Sequence, residues 1–214
     1  MSLPFTTDQF LNVFAAYNNA IWPLQFLLSV LGVLAIVLCF RAKALSVLIS
    51  AILAGLWMWM GLVYHVMFFS TINPAAYIFG GLFVLQGVLF FVSGLLRRDI
   101  TFGFEPGFRG YTGIALLAYA LIFYPFLGFL LGHLYPSSPT FGAPCPTTIF
   151  TFGLLLLTKN RLPWFLLIIP FLWSIIGFTA ALQLGIREDI GLLISGIIST
   201  SLLLLRKPAE VPTA

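Results

Sequence analysis

Charge is what this sequence has least of. Only 7% of its 214 residues are Asp, Glu, Lys or Arg, 61% are hydrophobic and mean hydropathy is +1.09. Soluble domains carry about 25% charged residues, so a water-soluble globular domain is excluded. Cysteine is nearly absent, with Cys39 and Cys145 alone. The two fall toward opposite ends of the apolar runs described below, which excludes an intramolecular disulfide and disfavours a paired-thiol relay. Histidine is limited to His65 and His133. None of the six acidic residues lies inside an apolar run, which leaves no intramembrane carboxylate for a proton relay. The last run holds no Lys, which excludes a retinal Schiff base. Met1 to Thr7 carry no basic cluster ahead of an apolar stretch, so no cleavable leader is expected.

What the sequence has in quantity is uninterrupted apolar chain. Seven runs stand out: Ile21 to Phe40, Ala44 to Phe69, Ala75 to Leu96, Tyr111 to Tyr135, Thr140 to Leu157, Trp164 to Leu182 and Ile190 to Leu205. About 20 apolar helical residues cross a hydrocarbon core about 30 Å thick. The expected fold is therefore all-α, a polytopic membrane protein with seven transmembrane helices, its last run a little short. Residues 1–20 read as a short interfacial amphipathic helix, 21–206 as the transmembrane domain and 207–214 as a disordered tail.

The ten basic residues lie between these runs or just after the last. Arg41 and Lys43, then Arg97, Arg98 and Arg109, then Lys159 and Arg161, then Arg206 and Lys207 follow alternate runs, and the intervening gaps hold only Arg187. Because Lys and Arg in short loops stay on the cytoplasmic side, this places the N-terminus outside and the C-terminus inside. The net charge of +4 thus has a topological cause, and nucleic acid is not an expected partner. The expected surroundings are the lipid bilayer of a bacterial inner membrane, with a homo-oligomer or a larger membrane complex as further assemblies.

Ahead of the first run, Thr6-Thr7-Asp8-Gln9 reads as a capping box opening a helix with Phe10, Val13, Phe14 and Tyr17 on one stripe. This helix is expected to lie flat in the outer interface. Gly128 and Gly132 form a GxxxG pattern whose usual meaning is close helix packing, and Pro125 and Pro170 are expected to kink their spans. No internal repeat is visible, so an inverted-repeat transporter is not supported.

The fifth run is the oddity. Its continuous apolar helix is expected to begin at Thr147 or Thr148, with Pro146 at the first helical position, leaving about 16 Å of helix. The segment Ser137 to Pro146 then dips into the membrane as a re-entrant loop, tolerated only where protein or a water-filled cavity surrounds it. Cys145 sits just before that helix N-terminus, with the hydroxyls of Thr147 and Thr148 beside it. Free amides there lower a thiol pKa and attract anions.

His65 and His133 each fall about 32 Å from the cytoplasmic start of their runs, on the outer side. Cys145, His65 and His133 are therefore candidate ligands for a soft or borderline metal such as Zn, Cu or Hg. Cys145, Thr147, Thr148, Asn73, Gln86 and Tyr64 are candidate ligand-binding residues, Gln86 being a polar side chain near mid-span. These point to a small permease or binding protein with an outward-facing pocket for a soft metal ion or a small anion, more than to an enzyme. The alternatives are a membrane enzyme using haem b on two histidines or a zinc-activated water, and an accessory subunit of a larger complex.

Three segments, FAAYNNAIWP from Phe14, YHVMFFSTINPAAY from Tyr64 and FGAPCPTT from Phe141, resemble an uncharacterised family of bacterial multi-pass membrane proteins that carries only a domain-of-unknown-function label. The resemblance covers nearly the whole chain. It implies a bacterial inner membrane and nothing about substrate.

Overall fold

The structure, a computed structural model, describes residues 3–41 and 43–206. It is helical, and the described residues form no β-strand beyond two isolated bridges. Among these residues nine α-helices follow in order: α1 Thr7–Ala20, α2 Leu24–Cys39, α3 Ser46–Trp59, α4 Ala76–Phe90, α5 Phe108–Ala118, α6 Tyr124–Leu130, α7 Pro144–Leu156, α8 Ile168–Leu184 and α9 Ile190–Leu204. Wider π turns extend α3 over Met60–Phe68 and α4 over Phe91–Leu96, and join α5 to α6 over Tyr119–Phe123.

Among the described residues, four continuous helices are long and apolar enough to cross a membrane: Lys43–Thr71, Ala76–Leu96, Phe108–Leu130 and Trp164–Leu184. A fifth follows if α1 and α2, bent by 88° to each other, count as one span. The expected seven spans therefore reduce to four or five by helix length. The first run loses its start to the bend at Ile21 to Pro23, and α7 and α9 have only 13 and 15 residues.

α1 opens with the expected capping box, Thr6 and Gln9 exchanging side-chain bonds to each other's backbone N–H. Its apolar stripe does not turn toward lipid as the interfacial reading expects. Val13, Phe14 and Tyr17 are buried on the protein. The Phe14 and Tyr17 rings pack on Tyr64, and the Trp59 indole donates to the Tyr17 hydroxyl at 2.8 Å. Enclosing aromatic area against aromatic area is what fixes α1 across the end of the bundle.

α7 is the axis of the fold. All 13 of its residues are buried, against α5, α8 and α9. It begins three residues earlier than expected, with Ala143 as N-cap and both Pro144 and Pro146 in the first turn. The first N–H groups of a helix have no acceptor within it, so two prolines fit there at no cost in hydrogen bonds. Small residues let neighbours approach this axis. At the α5 crossing a Cβ on Gly113 would stand 2.9 Å from the Gly153 carbonyl, and one on Gly153 3.0 Å from the Gly113 carbonyl. The indole of Trp57 donates to Thr151 Oγ1 at 3.0 Å and so joins α3 to α7.

The GxxxG pattern serves another purpose than helix crossing. Gly132 ends the helix at φ +90°, and Gly128 faces the Glu188 carboxylate, 3.3 Å from where a Cβ would sit. The mid-span prolines stand at changes of helix type. Pro125 lies in the first turn of α6 directly after the π turn, and Pro170 is the third residue of α8 after a 3-10 turn over Trp164–Leu167. Both fall where a change of helix type already releases the N–H that proline lacks.

One end of the bundle gathers the basic connections. The Phe104 N–H donates to the Cys39 carbonyl and the Lys159 N–H to the Thr101 carbonyl. Arg109 and Arg206 both donate to the Thr158 carbonyl, at 2.5 and 3.1 Å, and Arg206 also reaches the Asn160 carbonyl at 2.7 Å. Two guanidinium groups thus satisfy carbonyls just past α7, where a helix C-terminus favours cations. The opposite end carries α1, the chain before α7 and the acidic turn Arg187–Asp189. The expected tail 207–214 lies outside the described residues.

Candidate binding cavity at the start of α7

The irregular chain between α6 and α7 is held from α1. Asn18, fully buried, donates from Nδ2 to the carbonyls of Pro136 and Ser138 at 2.6 and 2.8 Å and accepts from the Thr140 hydroxyl at 2.7 Å. The Tyr17 hydroxyl donates to the Gly142 carbonyl at 3.1 Å, and the Gly142 N–H donates to Thr147 Oγ1 at 3.0 Å. Gly142 has φ +100°, and a Cβ there would strike the Leu28 side chain. Protein groups therefore satisfy the carbonyls of Pro136, Ser138 and Gly142 in this irregular chain. Thr147, a candidate for ligand binding, is committed to this loop.

Beside the first turn of α7 lies a cavity of about 150 Å³. Phe5, Phe10 and Phe14 from the N-terminal segment, with Phe69, Phe79 and Ile176, form its apolar wall. Tyr64, Asn73, Cys145, Trp173, Gln183 and Asp189 supply its polar lining. Three of the residues expected from sequence, Cys145, Tyr64 and Asn73, thus share one cavity. Asn73 also caps the α3 to α4 turn, its Oδ1 accepting from the Ala75 N–H at 3.1 Å.

The acidic pair organises the floor. Asp189 is 3% exposed and accepts from the Tyr124 hydroxyl at 2.6 Å, with the Cys145 thiol against the same carboxyl. Burial pushes the Asp189 carboxyl up from its ordinary range to about 7, against the opposing pull of the Tyr124 and Cys145 hydrogen bonds. Glu188 is 1% exposed, and its Oε1 lies 2.8 Å from His133 Nδ1. Its backbone carbonyl accepts from the Tyr119 hydroxyl at 2.7 Å. Two tyrosines from the π-turn region of α5 and α6 thereby clamp the turn that begins α9.

The expected metal set does not assemble. His133 is engaged by Glu188. His65 is fully buried among the rings of Tyr64, Phe69, Phe79, Phe83 and Trp173, whose centroids lie 4.6 to 5.9 Å away. Among the described residues no three His, Cys, Asp or Glu side chains are placed to hold a metal ion. An imidazole walled by aromatic rings and another paired to a carboxylate do not fit two axial positions of one haem either. A reactive thiol needs cationic, partly open surroundings, and Cys145 is buried beside an acid instead. Gln86 is also elsewhere, donating from Nε2 to the Leu166 carbonyl at 3.0 Å, an interhelical bond between α4 and the start of α8.

Several buried polar atoms around this floor have no partner among the described residues: Trp173 Nε1, Thr148 Oγ1, Glu188 Oε2 and both ring nitrogens of His65. Each such orphan costs roughly 1–3 kcal/mol, and of these residues Trp173 alone lines the cavity. Sequence reasoning missed Trp173 and Asn18. Trp173 sits mid-span among apolar residues and gives no signal of its own, whereas the Asn18-Asn19 pair next to an apolar stripe is a visible polar intrusion.

Neither the curated proteins nor the solved structures gave a match. The resemblance seen in the sequence is borne out, since residues 7–211 match the model of a family of unknown function, DUF6064, and the chain belongs to that family.

Proposed function

We propose that the chain is a multi-pass binding protein, or a permease for facilitated passage, of the bacterial inner membrane, with its N-terminus outside and an outward-facing cavity for a small amphipathic molecule. Seven crossings are kept in this reading, with α7 a short member enclosed by its neighbours and α9 a short member exposed on one face. The observation that carries it is the cavity itself, which has phenylalanine walls and a polar lining in which Asp189 and Cys145 meet at the floor. A ligand with an apolar body and one hydrogen-bonding head fits that division. The carboxyl of Asp189 accepts from a donor and, once ionised above about pH 7, repels an anion, so an amine or hydroxyl head is favoured over the small anion that sequence suggests. The separation of His65 from His133 likewise argues for this reading over a soft metal.

The test is thermal unfolding of the purified full-length protein with short n-alkylamines, n-alkanols and n-alkanoates of matched chain length. Ligands that bind only the folded state raise the melting temperature with concentration. Amines or alkanols are expected to do so and alkanoates not, with the rise lost in Asp189→Ala. Equal rises for all three head groups, or a rise unaltered by that substitution, would overturn the proposal.

A further inference from the structure

On the far side of the first α7 turn from the cavity runs a second concavity. Its outer part, about 450 Å³, lies between the start of α2 and the π-turn region of α5 and α6, where Gln25, Phe26 and Ser29 face Leu121, Tyr124 and Pro125. Ser29 and Leu121 also line the next part, about 420 Å³, which continues between Val33 and Ile36 on one side and Ile114 and Ala118 on the other. The two are one groove. It exists because α2 packs along α3 and not along α5.

Three properties specify what fills it. From Gln25 to Ile36 the groove follows 12 residues of helix, about 16 Å from first to last, which is half of a hydrocarbon core about 30 Å thick. Its rims are lipid-facing, Phe26, Val33 and Ile122 being exposed apolar side chains beside it. Its outer mouth is spanned by the Trp22 and Tyr135 rings, 6.3 Å apart, the residue types that sit at the membrane interface. Among the described residues no Lys, Arg, Asp or Glu lines either part. At the mouth Gln25, 8% exposed, keeps Oε1 without a partner while its Nε2 donates to the Asn18 carbonyl.

The geometry points to a bound acyl chain of an outer-leaflet lipid lying along this groove, its polar head beside Gln25 and the Trp22–Tyr135 pair. The chain is held by its hydrocarbon, with no charge present to choose among head groups. This site is independent of the outer cavity, although Tyr124 forms part of the groove wall and bonds Asp189 on the cavity floor.

Photolabelling tests this. The full-length protein is reconstituted in phosphatidylethanolamine vesicles holding a trace of phosphatidylethanolamine with a diazirine on one acyl chain, and in a second arm of phosphatidylglycerol with the same label. Labelling of the 25–36 and 114–124 segments is expected to exceed that of the exposed α8 face at Ile168 to Ile176 several-fold, equally in both arms. Leu121→Trp, at the waist shared by the two parts, is expected to abolish the excess. Ala118→Leu, a smaller change in the inner part, is expected to remove labelling at Ile114 and Val33 while sparing Ser29. Even labelling of all lipid-facing helices, excess labelling that survives both substitutions, or labelling confined to phosphatidylglycerol would overturn the assignment.

Discussion

The Tyr124 hydroxyl donates to Asp189 Oδ1 at 2.6 Å, across 65 residues of sequence and in a fully buried setting. It joins the first turn of α6 to the residue that opens α9. Both residues border the cavity region, Asp189 as its floor and Tyr124 behind it. Tyr124→Phe leaves the shape intact and removes one donor from a buried carboxyl. Above pH 7, where that carboxyl is ionised, such a hydrogen bond contributes about 1.5–3 kcal/mol. Unfolding of the variant in mild detergent should show a loss of that size, and a variant as stable as the parent would mean the bond contributes nothing net.

Asp189 also sets a pH dependence. Its folded-state carboxyl titrates near 7, above its ordinary 3.8. Between those values the folded protein keeps a proton that the unfolded chain has released. Stability from this group is therefore complete below about pH 4 and declines as pH rises toward 7. Asp189→Asn cannot titrate, so its stability should stay flatter over that range and exceed that of the parent at pH 7 and above. Each tenfold difference in proton affinity between the folded and unfolded chain corresponds to about 1.4 kcal/mol, which sets the scale of the gap. Parallel stability curves for the two proteins from pH 4 to 7 would contradict this.

The helical class, the apolar runs and the family resemblance were legible in the sequence because periodicity and composition act locally. The capping box at Thr6 and Gln9 was legible for the same reason. What escaped were long-range pairings. That α1 turns its stripe onto Tyr64 instead of lipid depends on an 88° bend at Ile21 to Pro23, and a hydrophobic stripe reads alike for either neighbour. Residue counts along their runs place His65 and His133 at one level, yet depth says nothing about azimuth around the bundle, and the two histidines face Trp173 and Glu188 respectively. Cys145, Tyr64 and Asn73 share a cavity, whereas Thr147 belongs to the loop and Gln86 to a helix contact.

Asn18 makes three hydrogen bonds to the chain between α6 and α7. Asn18→Ala leaves the Pro136 and Ser138 carbonyls without those donors. With a typical net contribution near 1 kcal/mol per bond, the expected loss is about 3 kcal/mol if the segment stays dry. Hydrogen exchange should then rise over residues 136–143 before it rises in α7. Unchanged exchange in that segment would show that α1 does not hold it.

Glycine substitutions separate crossing from propensity. At Gly153 a new Cβ meets Leu117 at 2.8 Å and the Gly113 carbonyl at 3.0 Å. The backbone at that crossing cannot yield without moving α5 from α7, and overpacking of this kind costs about 1–3 kcal/mol. Gly55 in α3 has nothing within 4 Å of the same position. Gly55→Ala should be neutral or stabilising by up to about 1 kcal/mol, since Ala is the better helix former. Thermal unfolding of the two single variants should therefore move in opposite directions.

The His133–Glu188 pair gives a sharper test because its two ends differ in exposure. Glu188 is 0% exposed in its side chain and His133 is 14% exposed, and Glu188 Oε2 has no other partner among the described residues. Removing His133 strands a buried carboxylate, a change that costs about 3–5 kcal/mol. Replacing Glu188 by Gln leaves an imidazole with access to water and a neutral amide within its reach. His133→Ala should accordingly be the more damaging single substitution, and Glu188→Gln should recover much of that loss when combined with it. A double variant whose loss equals the sum of the two singles would mean that the residues act independently and that the 2.8 Å contact carries no coupling.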